Sequence, residues 1–341
     1  MKIIALSFLI LTSVLSAETA TVAFVGDINF TGRIGDAIAK HGTTWPFEKV
    51  ESVLCKADYR VGNLESPAGV GGTQFPNKRV HFKANPGYLD ALIHGDFNLV
   101  SLANNHALDY GPGVLKQTME GLSDRGIRYI GIANNNKEQY VPAIVEIKGM
   151  KIAFFGYCNA CPSGFGPLSN TAGVNVGMAR MIRRQISDVK EVYNPDFIVA
   201  MPHWGTEYGD VDKNQEFTKK AMGEAGVDII VGAHPHVLQR VDWTNNSAGK
   251  SYVTAYSLGN FIFPMRWEVS MDSAILLVEF VKTNGEKQLK ISWVPVSLNS
   301  NRPVPIEVGV ERFNRDNYIL THGYAYPENR HWPEQGPWSR E

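Results

Sequence analysis

The chain has 341 residues, 44% of them hydrophobic and 20% charged, with a formal net charge of -1. This ordinary globular composition excludes a disordered chain or a coiled coil, and the length suits one large domain or two medium ones. The near-zero charge excludes a general nucleic-acid binder, so any anion binding has to be local.

Residues 1–17 read as a secretory leader. Lys2 supplies the positive start, Ile3 to Leu15 the apolar stretch, and Ser16 and Ala17 small residues for cleavage. A membrane anchor is the alternative, but the run is shorter than the ~20 residues a spanning helix needs. The mature protein is expected to begin near Glu18 and to be exported, to the periplasm or the cell surface.

Strand-like runs then recur at TVAFVGDIN (21–29), YRVGNLES (59–66), FNLVSLANNHA (97–107) and IRYIGIA (127–133). VPAIVEIKGMKIAFFGYC (141–158) reads as a hairpin turning at Lys148-Gly149. DFIVAMPHWG (196–205), VDIIVGAHPHV (227–237), SYVTAYSLGNFIF (251–263), AILLVEFV (274–281) and KQLKISWVPVSL (287–298) complete the set. Helical spacing is visible in 111–126, through Leu115, Met119 and Leu122, and in 214–226, through Phe217, Ala221 and Met222. Gly126 and Gly226 are placed to end these helices. Met181 to Arg184 reads as the solvated face of a further helix. Strand–helix alternation followed by consecutive strands predicts a mixed α/β sandwich. The Pro- and Trp-rich tail, 301–341, reads as an irregular strap packed on the domain of residues 18–300. Cys158 and Cys161 form a lone CxxC, which fits a small disulfide or an incidental pair better than a redox motif, and leaves Cys55 over.

The polar residues fall where the strands end. Asp27 and Asn29, Asn63 and Glu65, Asn104 to His106, His203, and the pair His234 and His236 close five of these strands. In open α/β sheets ligands collect at such carboxyl ends. Residues two apart on a strand share a face, so the rings of His234 and His236 would aim at one point. Histidines, carboxylates and an amide form a mixed N/O donor set that suits Zn, Mn or Fe better than Ca or Mg. So many ligands exceed one tetrahedral ion and fit two adjacent divalent transition-metal ions. Arg33, soon after Asp27, would hold a substrate oxyanion through its planar fork, or is a plain surface arginine.

The stretches GDINFTGR, GNLESP, SLANNHALDYG, PHWGTEY, GAHPHVLQ and AYSLGNFIF, in this order, closely resemble the CapA-type proteins of bacterial poly-γ-glutamate capsule synthesis. That family in turn resembles the calcineurin-like metallophosphoesterases. The resemblance implies a four-layer αββα sandwich of metallophosphoesterase type, with mixed sheets and a dinuclear metal site at its edge. It implies metal ligation by Asp27, by Asn29 in place of a histidine, by Asn105, by His203, and by His234 and His236 with one ring for each ion. Glu65 is expected to bridge the ions, with Asn63 as the second choice. His106 would act as a protonated acid on the leaving group, oriented by Asp109, and Glu207 and Tyr208 would line the substrate pocket. Two functions are implied. One is a metal-dependent hydrolase of a phosphoester or polymer linkage. The other is a non-catalytic accessory protein that binds an acidic polymer within a capsule-synthesis membrane complex.

Overall fold

The computed structural model describes residues 17–136, 142–264, 267–298, 301–306 and 311–313. The predicted leader up to Ser16 and the tail beyond Phe313 lie outside the described residues. The chain runs through β1 (Glu18–Ile28), α1 (Gly32–His41), α2 (Glu51–Leu54), β2 (Tyr59–Leu64), α3 (Asp90–His94), β3 (Leu99–Ser101) and α4 (Pro112–Ser123). Next come β4 (Arg128–Ile130), β5 (Ile132–Ala133), β6 (Ala143–Ile147), β7 (Met150–Cys158), β8 (Gly173–Val174), α5 (Ala179–Tyr193), β9 (Phe197–His203) and α6 (Lys213–Ala225). It continues through β10 (Ile229–Val231), β11 (Val241–Asn245), β12 (Ser251–Ala255), β13 (Asn260–Ile262), β14 (Asp272–Thr283), β15 (Glu286–Ser297), β16 (Val304–Pro305) and β17 (Glu311–Phe313).

Two mixed sheets result. In the first the order is β16-β15-β14-β1-β2-β3-β4, with β13 beside β1 and β17 beside β15. In the second it is β11-β12-β10-β9-β7-β6. Strands β1 to β4 run parallel, as do β7, β9, β10 and β12, while β14, β6 and β11 are antiparallel to their neighbours.

Period-two alternation builds the layers. Ala20, Val22 and Phe24 of β1 face the second sheet, where they meet Phe154, Val199 and Ile229 in one buried core. Ala23 and Val25 point the other way, into a core shared with Ile34, Ile38, Leu92, Leu115 and Leu122 of the helices. On the second sheet Ile198, Ala200 and Ile230 pack outward against Ile182, Ile186 and Val189 of α5 and Met222 of α6. The result is the expected four-layer αββα sandwich. Aromatic contacts lock the sheets together, Phe197 meeting Phe280 at 5.0 Å and Phe24 meeting Phe154 at 6.4 Å between ring centroids. Each such buried ring stabilises the fold by roughly 1.5–3 kcal/mol.

Three details differ from the sequence reading. Phe217 faces solvent, 66% exposed, because α6 packs through Thr218, Ala221 and Met222. Gly226 caps α6 in the left-handed region, but α4 ends at Ser123, before Gly126. Where the tail is described it is partly strand rather than irregular, since β16 and β17 both pair with β15. Cys158 and Cys161 are joined by a disulfide, Cys55 is exposed, and Arg183 and Arg184 lie on the solvent face of α5. The hairpin turns at Lys148-Gly149, both at positive φ. Among the described residues no helix is long and apolar enough to cross a membrane.

One glycine matters for the site. Strand β1 pairs with β14 as far as Phe24 and with β13 from Asp27, where Asp27 stands opposite Asn260. At the changeover a Cβ on Gly26 would fall 1.9 Å from the carbonyl oxygen of Gly259, so only glycine lets the two strands close.

Candidate metal centre

Parallel strands bring their carboxyl ends to one edge, and here two sheets do so together. The first sheet delivers Asp27 near the end of β1, Asn63 near the end of β2, Glu65 just beyond it, and Asn105 and His106 in the turn after β3. The second delivers His203 as the last residue of β9, and His234 and His236 from the loop after β10. All are buried. The two loop histidines converge for a reason other than strand pleat. Strand β10 stops at Val231, and the backbone turns at positive φ, 100° at His234 and 58° at His236. Such strain in non-glycine residues persists where the surroundings over-determine it, commonly at functional sites.

Glu65 is the hub. Its Oε1 lies 3.7 Å from His203 Nε2, 3.8 Å from His236 Nε2 and 3.9 Å from His106 Nε2. Two donor groups form around it, Glu65 with His234 and His236, and Asp27 with Glu65 and His203, each with its donor atoms within 4.8 Å of one another. These gaps are too wide for hydrogen bonds and suit atoms arranged around ions with ~2.0–2.2 Å bonds. Among the described residues neither Glu65 Oε1 nor His234 Nδ1 has a hydrogen-bond partner. A buried polar atom left this way costs about 1–3 kcal/mol. A cation between them satisfies both, and the donor set therefore fits a metal.

Charge points the same way. Burial, with Asp27 and Glu207 close by, pushes the Glu65 carboxyl well above the usual carboxylate range. Burial also holds His203 and His234 well below the usual imidazole range, leaving them neutral and able to coordinate. His236 moves up although burial opposes it, because Asp27, Glu207 and Asn260 favour its protonated form. Divalent ions would add positive charge beside the buried Glu65 and Asp27 carboxylates.

The neighbouring amides divide into donors and braces. Asn105 Oδ1 lies 3.0 Å from His203 Nε2, so the two atoms can face one ion. Asn63 instead donates from Nδ2 to Asp27 Oδ1 at 2.8 Å, while its Oδ1 accepts from Asn104 at 3.3 Å. It holds the carboxylates in place, and Glu65 occupies the shared position. Asn29, expected as a ligand, is turned to other work. Its Oδ1 accepts from Thr31 N at 3.0 Å and Thr31 Oγ1 at 2.7 Å, and its Nδ2 donates to the Glu65 carbonyl at 3.4 Å. It braces the loop that carries Glu65.

His106 sits at the edge of the cluster, with Nδ1 donating to Asp109 Oδ2 at 2.6 Å and Nε2 turned to Glu65. Burial brings its pKa down to about 4 despite Asp109, so the ring is neutral near pH 7 and not the expected protonated acid. Tyr208 packs on His236 at 5.8 Å, donates from its backbone to the Pro235 carbonyl at 2.7 Å, and has a buried hydroxyl with no hydrogen-bond partner among the described residues. Glu207 precedes it, half-buried, and Arg33 stands in the first turn of α1.

Two residues escape the sequence reading. Asn260 accepts from His236 Nδ1 at 2.9 Å and so turns Nε2 of that ring toward Glu65. Its signal was a lone polar residue after glycine within an apolar run. Lys78 reaches the Asn105 carbonyl and Asp109 from a loop that offers no periodic signal.

A two-sheet sandwich with an Asp/Glu/Asn/His cluster at its edge is the fold the resemblance implied. Across 83% of this chain and 95% of the other, it superposes on a novel phosphatase from Mycoplasma pneumoniae with a TM-score of 0.50 at 14% identity, a likeness of fold. The chain belongs to the family of the bacterial capsule synthesis protein PGA_cap, whose sequence model matches residues 21–265. It is 31% identical over 301 residues to the capsule biosynthesis protein CapA of Bacillus anthracis, covering 86% of this chain and 71% of that protein. It is 30% identical over 295 residues to the PGA biosynthesis protein CapA of Bacillus subtilis (strain 168), covering 86% and 75%. It is thus a member of the PGA_cap family, similar to the CapA proteins of Bacillus, with a fold like that of the Mycoplasma phosphatase.

Proposed function

We propose that the protein is an exported metal-dependent hydrolase that cuts a phosphoester or polymer linkage during capsule assembly. It would use two divalent ions of the Zn, Mn or Fe kind. The observation that carries this reading is Glu65, a buried carboxylate common to both donor groups, with an oxygen left free for an ion. His234 and His236 would serve one side of it, and Asp27, His203 and Asn105 the other. Bound there, such ions supply Lewis acidity and make water reactive near neutral pH.

The chain's own groups do the rest. Neutral His106, with its Nδ1 proton fixed on Asp109, presents Nε2 as an acceptor; it takes a proton from the attacking side and returns it to the leaving oxygen. The Tyr208 hydroxyl donates to a substrate oxygen, Glu207 lines the same wall, and Arg33 holds an oxyanion at the rim. Phe82, 4.2 Å from the His106 ring, and Phe263, 4.6 Å from that of His236, limit water. The leader of residues 1–17 would carry the protein to the periplasm or cell surface, beside a capsule-synthesis membrane complex and its acidic polymer.

One observation favours a second reading, a non-catalytic accessory protein that binds the acidic polymer through its metals. Asn29 stands where the resemblance implies a histidine ligand, and it is committed to Thr31. Elemental analysis of the purified protein and a panel of chromogenic phosphate mono- and diesters separate the two. The hydrolase reading expects about two ions per chain. It also expects turnover that falls by about 10²- to 10⁴-fold in His106→Ala. Two ions without turnover support the accessory reading, and no bound metal defeats both.

A further inference from the structure

The loop between β2 and α3 lies across the rim of the centre, and its contacts converge on one carboxylate. Asp109 is fully buried. Its Oδ2 accepts from His106 Nδ1 at 2.6 Å and from the backbone N–H of Phe82 at 2.6 Å. Its Oδ1 accepts from the ammonium of Lys78. The same ammonium donates to the carbonyl oxygen of Asn105 and lies 3.0 Å from His106 Nδ1. The Lys78 side chain is only 13% exposed. The loop is tied down around it: Phe75 N donates to the Asp109 carbonyl at 2.9 Å, and the Phe82 ring covers the His106 ring.

We propose that Lys78 is a positioning residue of the proposed hydrolytic site: its ammonium fixes Asp109 and the Asn105 backbone together, and thereby sets the ring orientation and tautomer of His106. The inference rests on the hydrolase reading only for its consequence in turnover. Without Lys78, Asp109 Oδ1 would be buried without its cationic partner and the carboxylate held only through Oδ2, by the Phe82 N–H and His106, so its hold on the Nδ1 proton would loosen and the tautomer protonated at Nε2 would gain population. With Oδ1 anchored by Lys78, Oδ2 is aimed at Nδ1, and Nε2 stays bare toward Glu65. Because the same ammonium holds the residue that carries the Asn105 amide, proton handling and ligand placement share one anchor. A lysine kept in water would not do this, since its three donors would be spent on solvent.

The test is nitrogen-15 NMR of the imidazoles, on the protein as purified and again after zinc loading, with His106 assigned by its disappearance in His106→Asn. The wild type should show a neutral ring protonated at Nδ1. Lys78→Met should give a mixture of tautomers and hold zinc less tightly, since Asn105 loses the same anchor, and Lys78→Arg should restore the Nδ1 form in part. Where the wild type turns over a chromogenic diester, Lys78→Met should lower kcat by about 10- to 100-fold with KM within about twofold. An unchanged Nδ1 tautomer in folded Lys78→Met overturns the proposal, whether or not the protein is a hydrolase. Lys78→Gln, which keeps a donor but no charge, carries the same test if Lys78→Met does not fold. Absence of turnover in the wild type, with the tautomer shift present, would count against the hydrolase reading and leave the positioning role standing.

Discussion

Replacing Glu65 by glutamine separates metal binding from folding. In the metal-free protein the Glu65 carboxyl is held well above the usual range by burial and by the nearby charges of Asp27 and Glu207. An acid whose folded pKa exceeds its unfolded value binds its proton more tightly when folded. The metal-free fold therefore loses stability as pH rises beyond the unfolded value of ~4.3. Glutamine has the shape of the neutral acid and carries no such cost. Metal-free Glu65→Gln is expected to melt at or above metal-free wild type at pH 7, with the difference shrinking toward pH 4. Metal reverses the order. At 100 times Kd, one ion stabilises the fold by about 2.7 kcal/mol. At ~2–4 °C per kcal/mol for a domain of this size, the wild type gains about 5–10 °C. Glu65→Gln, lacking the ligand common to both groups, gains little. Thermal melts with zinc and with chelator, across that pH range, measure all of this. A zinc shift of wild-type size in Glu65→Gln, or a metal-free variant melting several degrees lower, would refute the reasoning.

Three further outcomes follow from the geometry. Asn260→Ala removes the nearer of two acceptors facing His236 Nδ1, leaving Asp27 Oδ2 at 3.2 Å, and zinc affinity measured against a chromogenic chelator should fall by about 10-fold with the melting temperature of the metal-free protein little changed. Gly26→Ala places a methyl group 1.9 Å from the Gly259 oxygen; urea unfolding should show a loss of about 1–3 kcal/mol, and zinc binding should weaken because Asp27 and Asn260 are displaced together. Cys161→Ser opens the small disulfide loop, whose Asn159 and Ala160 backbone groups donate to the His203 carbonyl at 2.9 and 3.2 Å; a loss of about 2 kcal/mol and faster zinc release into chelator are expected.

The edge of the sheets was legible because parallel strands impose it. Apolar runs that stop at Asp27, Glu65, Asn105 and His203 mark both the strand and its carboxyl end, so the gathering of these residues needs only the fold class. What the pattern does not contain is which atom each side chain offers. Asn29 reads as a ligand by position, yet its amide is captured two residues on by Thr31, a local choice that a strand pattern cannot show. The convergence of His234 and His236 was anticipated from strand pleat and is produced by a left-handed loop. Lys78 was out of reach altogether, since it lies in a loop with positive φ at Gly71, Gly72 and Asn77, and its partners are about thirty residues away. Phe217 shows the converse: helical spacing identifies a face, but the neighbour against which α6 packs decides which apolar residues are covered.

Neither sheet owns the coordination sphere. Carboxylates and amides arrive on β1, β2 and the turn after β3, imidazoles on β9 and the loop after β10, and only the docked pair of layers places them face to face. Ion capture of the kind proposed would for that reason be a late event in the maturation of this chain, available to molecules whose two halves have already closed. The fraction of a preparation that resists a chelator would thus count correctly assembled molecules, and metal supply would act as a selection for them.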